Sequence, residues 1–119
     1  MKKGLVIGAA GFVGKYLIKE INANKIDVYA TKLPHERLEN IEAKIYDLDI
    51  MDKEAIIALF LEIQPDYIFH LAAQSSVGLA WKNPTLTVDV NIKGSINVMD
   101  AVRELFYKPR VLLIGSGEE

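Results

Sequence analysis

Gly8, Gly11 and Gly14, spaced G-x-x-G-x-x-G, stand between the apolar run Leu5-Val6-Ile7 and a set of residues, Val13, Tyr16, Leu17, Ile18 and Ile21, spaced as one face of a helix. A strand, a glycine turn and a helix in that order suit one chemical task, holding phosphate. The turn needs a residue without a Cβ, and a pyrophosphate needs the backbone close. The helix that follows aims its unpaired N–H groups and the positive end of its dipole at the anion. The spacing departs from the common G-x-G-x-x-G fingerprint, and glycines alone would equally serve close helix–strand packing with no ligand. The assignment to a nucleotide therefore rests on what the rest of the chain builds around them.

Other groups of chemical use fall where later strands end. Residues 26–31 read as a second strand, closed by Lys32-Leu33-Pro34. At such a position a carboxylate accepts hydrogen bonds from the adenosine ribose and repels a 2′-phosphate, whereas a cation favours the phosphate. Lys32 stands there, and a charge-assisted contact of about 1.5–3 kcal/mol shifts preference roughly ten- to hundredfold toward NADP. A solvated loop lysine is the plain alternative, and Glu36 is near enough in sequence to reverse the preference. Residues 43–46 read as a third strand. Asp47, at its tip, is placed to accept from an adenine amino group while Leu48 packs on the ring. Asp49 and Asp52 suit N-capping of a helix over residues 53–63. His70, inside a fourth strand over residues 66–71, reads as structural. After it, Ala72 and Ala73 let a ligand approach the backbone, and Gln74, Ser75 and Ser76 carry hydrogen-bonding groups to the mouth of a cleft.

The elements needed to gather these groups follow from pattern. Residues 34–41 are too few for a crossover helix. Asn83-Pro84 opens a long helix running to about residue 105, with Leu86, Val90, Ile92, Ile96, Val98, Met99, Val102 and Leu105 as its apolar surface. Within it, Gly94 implies close packing on the sheet, and Asn91 a bond to buried backbone. A fifth strand covers residues 110–115. The resulting β-α-β-loop-β-α-β-α-β order predicts an α/β fold, a Rossmann-type parallel sheet of order 3-2-1-4-5 with helices on both faces. The apolar fifth strand has no helix after it, so the sheet is expected to be truncated there, the chain being the N-terminal part of a longer enzyme.

Composition narrows the classes. At 119 residues, with 50% hydrophobic and 25% charged residues, the chain is one domain, and a net charge of −2 with scattered cations argues against nucleic acid as partner. No apolar run approaches the ~20 residues that span a bilayer. Lys2 and Lys3 precede an apolar run as in a secretory signal, but Lys15, Lys19 and Glu20 continue it as an amphipathic helix. There is no cysteine, which excludes disulfides and thiolate chemistry and is compatible with a cytoplasmic location. His35 and His70 lack matching ligand pairs, so no metal site is expected.

Jointly, several tracts resemble the extended short-chain dehydrogenase/reductases that act on nucleotide-sugars, the NAD-dependent epimerase/dehydratase family. They are Gly8-x-x-Gly11-x-x-Gly14, Asp47-Leu48-x-x-x-Asp52, the string from His70 to Val77, Trp81-x-x-Pro84-x-x-Thr87, Asn91-x-x-Gly94, and Gly115-Ser116-Gly117-Glu118-Glu119. The string from His70 is most similar to the GDP-sugar branch. The resemblance implies an NAD(P)-binding domain over residues 1–119, with NADP or NAD as cofactor. Gly8, Gly11 and Gly14, with the backbone of Phe12 and Val13, would hold the pyrophosphate; Lys32 would stand near the adenosine ribose, and Asp47 and Leu48 would meet the adenine. Leu71, Ala72 and Ala73 would line the path to the nicotinamide ribose, and Gln74 and Ser75 would face the sugar or its diphosphate. Ser116 would hydrogen-bond the reacting sugar oxygen, and Glu118 matches a glutamate that moves a proton at C5 in the dehydratases.

The implied reaction is reduction of the C4 keto group of a GDP-4-keto-6-deoxy sugar with NAD(P)H, the alternatives being 4,6-dehydration, epimerisation, or a non-catalytic dinucleotide sensor. The family's tyrosine and lysine, four positions apart and some two dozen residues after Ser116, have no counterpart in these residues. The 119-residue piece, lacking that proton donor and the sugar-binding lobe, is expected to show no turnover. Helices of this kind often form dimer bundles in that family, which makes the 85–105 helix a candidate homodimer surface, while most of its side chains are expected to pack on the sheet.

Overall fold

Leu5, Val6 and Ile7 are at most 1% exposed, because they form the central strand of a sheet covered on both faces. The computed structural model describes residues 2–9, 12–34, 36–38, 41–71 and 84–113. Within them the elements run β1 (Lys3–Ile7), α1 (Phe12–Ala23), β2 (Asp27–Lys32), β3 (Lys44–Asp47), α2 (Lys53–Ile63), β4 (Tyr67–His70), α3 (Pro84–Arg103) and β5 (Arg110–Leu113). The strands lie in the order β3-β2-β1-β4-β5 with every neighbouring pair parallel, the Rossmann-like sheet the sequence pattern predicts. The strand limits differ from the expected ones by up to two residues. Gly115, expected to close the fifth strand, lies outside the described residues.

Alternation along the strands divides the core. Leu5, Ile7 and Ile68 face α2 and α3, where they pack with Ile56, Phe60, Val98 and Ala101. Val6, Val28 and Ala30 face α1, where Ile18, Ile21 and Leu38 complete a second cluster. The expected inner face of α1 needs correction: Val13 is 41% and Tyr16 62% exposed. At 100° per residue the stripe that meets the sheet is Gly14, Ile18 and Ile21, and Tyr16 lies on the opposite side of the helix from Ile18.

Helix α2 begins and ends where its residues dictate. Asp52 caps it, accepting from Ala55 N at 3.2 Å, while Asp49 instead accepts from Met51 N at 2.9 Å in the preceding turn. Gln64 closes it in the left-handed region, φ 54, and its N–H donates to Phe60 O at 2.7 Å.

Helix α3 ends at Arg103, so Leu105 lies beyond it. Val98 and Ala101 are fully buried, but Ile96 and Met99, expected in the apolar surface, are 52% and 37% exposed. The close packing at Gly94 is made on Ile50, in the β3–α2 connection, and not on the sheet. A Cβ at Gly94 would lie 2.9 Å from Ile50 Cγ1. Asn97 Nδ2 secures the same docking by donating to Ile50 O at 2.8 Å. Asn91's side chain lies outside the described residues.

Between β2 and β3 no crossover helix forms among the described residues, and Leu38, 6% exposed, takes part of its packing role. A depression of about 800 Å³ remains beside α1, lined by Lys15, Tyr16, Lys19, Asn22, Ile41 and Glu42. Asn22 Nδ2 fastens its rim by donating to Glu42 O at 2.8 Å.

Candidate functional site

In a parallel sheet the strands deliver their C-terminal ends to one edge, and here that edge is held in line by amides just past the strands. Ala9 N donates to Thr31 O, Leu71 N to Ile7 O and Leu48 N to Lys32 O, each at 2.8 Å. Gly8, Lys32, Asp47 and Leu71 thus share one rim, and β1 and β4 flank the point where chain direction across the sheet reverses. Crevices at such points take ligands in open α/β sheets.

Among the described residues of the turn after β1, the backbone at Gly8 suits a phosphate cradle. Gly8 has φ 77, a conformation unfavourable to side chains, and its N–H donates to Thr31 Oγ1 at 3.1 Å. A Cβ at Gly14 would come within 2.7 Å of Ala9 Cα, so a glycine there lets α1 sit directly on the turn. Helix α1 starts at Phe12, and no acidic residue stands in its first turn to oppose an anion. These features fit the pyrophosphate of a dinucleotide. Thr31 has no assigned role in the sequence reading, yet at 1% exposure it anchors the turn through both its hydroxyl and its carbonyl. A lone threonine at the end of an apolar strand was the available signal.

At the outer end of the rim, Lys32 Nζ lies 2.6 Å from Asp47 Oδ1, the two residues being register partners on β2 and β3. The lysine expected to be a free cation is an ion-pair member, 17% exposed against 55% for Asp47. Glu36 is tied to the same end of β2, its Oε1 accepting from Leu33 N at 2.9 Å and its N–H donating to Leu33 O at 3.0 Å. Leu48 is 7% exposed and packs with the α2 face of the core, and Leu71, 1% exposed, with the α1 face.

His70, read as structural, is 3% exposed at the end of β4 with Nε2 3.1 Å from Ser95 Oγ of α3. Its Nδ1 is buried without a partner among the described residues, and burial pushes the imidazole below its ordinary pKa. Gly11, Ala72, Ala73, Gln74, Ser75, Ser116 and Glu118 lie outside the described residues. Among the described residues, no cluster of His, Cys, Asp or Glu is placed to hold a metal, and no helix is long and apolar enough to cross a membrane.

A five-stranded parallel sheet of order 3-2-1-4-5, with a glycine turn at its reversal point, defines the Rossmann-like α/β class. The chain belongs to the NAD dependent epimerase/dehydratase family, whose model matches residues 4–119. It is 33% identical to a UDP-glucuronate 4-epimerase of Thermodesulfobacterium geofontis, over 91% of this chain and 38% of that protein. It is 32% identical to a GDP-mannose 4,6-dehydratase of Yersinia enterocolitica, over 87% of this chain and 32% of that one. Among solved structures, the UDP-glucose 4-epimerase of Thermus thermophilus in complex with NAD superposes with a TM-score of 0.75 at 31% identity, covering 86% of this chain and 34% of the other. The Thermotoga maritima UDP-glucose 4-epimerase gives 0.79 at 28% identity, over 93% and 37%. The chain thus spans roughly a third of the length of these relatives.

Proposed function

We propose that residues 1–119 form the NAD-binding domain of an enzyme that acts at C4 of a nucleotide-sugar. The observation that carries this reading is the turn after β1, where Gly8 adopts φ 77 beneath a helix whose first turn bears no carboxylate. Gly8, Gly11 and Gly14, with the backbone of Phe12 and Val13, receive the pyrophosphate. Lys32, Asp47 and Leu48 meet the adenosine end, and Leu71, Ala72 and Ala73 the nicotinamide ribose. Gln74 and Ser75 face the nucleotide-sugar, Ser116 donates to its reacting oxygen, and Glu118 exchanges a proton. Held by these residues, NAD would supply the hydride acceptor and donor that chemistry at a sugar carbon requires.

Within this class, the similarities to an epimerase and a dehydratase support an internally recycled hydride as well as the sequence string from His70 supports net reduction of a GDP-4-keto-6-deoxy sugar. Assay of an enzyme that joins this domain to a sugar-binding lobe separates them: steady NAD(P)H consumption with a 4-keto sugar nucleotide marks the reductase, and turnover without net consumption marks an epimerase or dehydratase. A homodimer through α3 accords with the outward Ile96 and Met99 on that helix. The domain assignment itself is tested by calorimetric titration with NAD⁺. Gly8→Val, which forces a β-branched side chain into positive φ, should weaken binding by at least about tenfold. Unchanged affinity in a folded variant removes the reading.

A further inference from the structure

Thr31 stands where an apolar strand residue would serve the core equally well. It is 1% exposed near the end of β2, and alternation along that strand puts it on the same side of the sheet as Tyr29, which packs with the α2 and α3 cluster. A hydroxyl taken out of water there must be hydrogen-bonded, and its partner is the Gly8 N–H, which donates to Thr31 Oγ1 at 3.1 Å. The carbonyl of the same residue accepts from Ala9 N at 2.8 Å. Two consecutive amides of the glycine turn are thus tied to one residue of the neighbouring strand, past the β1–β2 ladder, whose register ends at Val6 and Ala30.

We infer that Thr31 is a positioning residue for the dinucleotide phosphates: its hydroxyl engages the Gly8 amide, fixes the turn at φ 77, and leaves the anion to the amides at the opening of α1. The inference rests on the dinucleotide reading above and goes one step beyond it. With its N–H already donated to Thr31, Gly8 serves the phosphates through the path of its backbone and not as a donor. The first turn of a helix, by contrast, has N–H groups with no intrahelical partner. Threonine suits the task because branching at Cβ restricts χ1 and so holds Oγ1 in place. Serine keeps the acceptor with more rotational freedom. Valine has nearly the same shape and no acceptor, so it would strand the Gly8 N–H in a part-buried place. The next residue, Lys32, begins the proposed adenosine rim, and one strand end therefore supports both parts of the site.

The test measures affinities for adenosine, ADP and NAD⁺ by NMR titration for the protein, Thr31→Val and Thr31→Ser, with urea unfolding of each to report stability. Valine should weaken ADP and NAD⁺ by about two- to tenfold, the net worth of one hydrogen bond, and leave adenosine, which has no phosphate, unchanged. Serine should restore most of that loss. Thr31→Ala, which removes the acceptor without adding bulk, gives the same reading if the valine variant does not fold. A merely structural role would lower stability and weaken all three ligands alike. An ADP/adenosine affinity ratio that stays at its parent value in the folded variant without the acceptor overturns this inference, as does a serine variant impaired as much as valine. Either result leaves the NAD-binding domain standing, whereas failure of the parent to bind ADP and NAD⁺ removes both.

Discussion

Gly14 on the inner face of α1 lies against the backbone of Ala9, with room for hydrogen alone at its Cα: a methyl group there would sit 2.7 Å from Ala9 Cα. Helix α1 is therefore seated directly on Ala9.

Gly14→Ala tests this contact. The helix gains roughly 1 kcal/mol of propensity but must move off the turn, at a cost of about 1–3 kcal/mol for overpacking. A net loss of stability is expected in urea unfolding, together with weakened NAD⁺ binding. Stability and affinity equal to the parent would show that the approach of α1 to Ala9 is easily relaxed.

The buried imidazole gives stability a pH dependence of definite sign. Burial lowers the folded-state pKa of His70 below its ordinary 6.5. Above 6.5 both folded and unfolded chains carry it neutral, and it adds no slope. As pH falls below 6.5 the unfolded chain binds the proton first, so stability drops until the folded pKa is reached. Urea midpoints measured across roughly pH 5–8 should fall on the acid side, and His70→Gln should flatten that part of the curve relative to the parent. Parallel curves for parent and variant would contradict it.

Gly94 and Ile50 should be energetically coupled. Gly94→Ala places its methyl into Ile50 and is expected to destabilise by about 1–3 kcal/mol despite better helix propensity. Trimming Ile50 to alanine opens that space, so the double variant should be more stable than the sum of the singles, with a coupling of about 0.5–3 kcal/mol. Additive single and double changes would mean that α3 shifts bodily to accommodate the methyl.

The two aspartates before α2 should separate in magnitude. Asp52→Ala removes the side chain that accepts from Ala55 N and should cost about 1 kcal/mol in thermal or urea unfolding. Asp49→Ala breaks only the turn contact to Met51 N and should cost less. The reverse ranking would move the cap to Asp49.

Much of the fold was legible because it follows local pattern. The limits of α2 at Lys53 and Ile63, its Asp52 cap, and the 3-2-1-4-5 order all follow from short-range periodicity, breakers and right-handed crossovers. The glycine turn was legible for the same reason, since Gly8 adopts the positive φ its residue type anticipates. What escaped depends on partners remote in sequence. Lys32 reads as a free cation until the β2–β3 register sets it against Asp47, and Gly94 reads as a contact with the sheet until α3 is docked over Ile50. Tyr16 failed differently: its apolar ring fits a helical face by composition, but the angle from Ile18 turns it outward.

Strand β3 has only four residues and, among the described residues, bonds to β2 alone, with Ile45 39% exposed. Local breathing should therefore begin at this border of the sheet, and deuterium should replace its amide protons well before those of β1. The proposed adenosine end of the site lies on this border, so an occupying coenzyme should slow isotope uptake there more than at the centre.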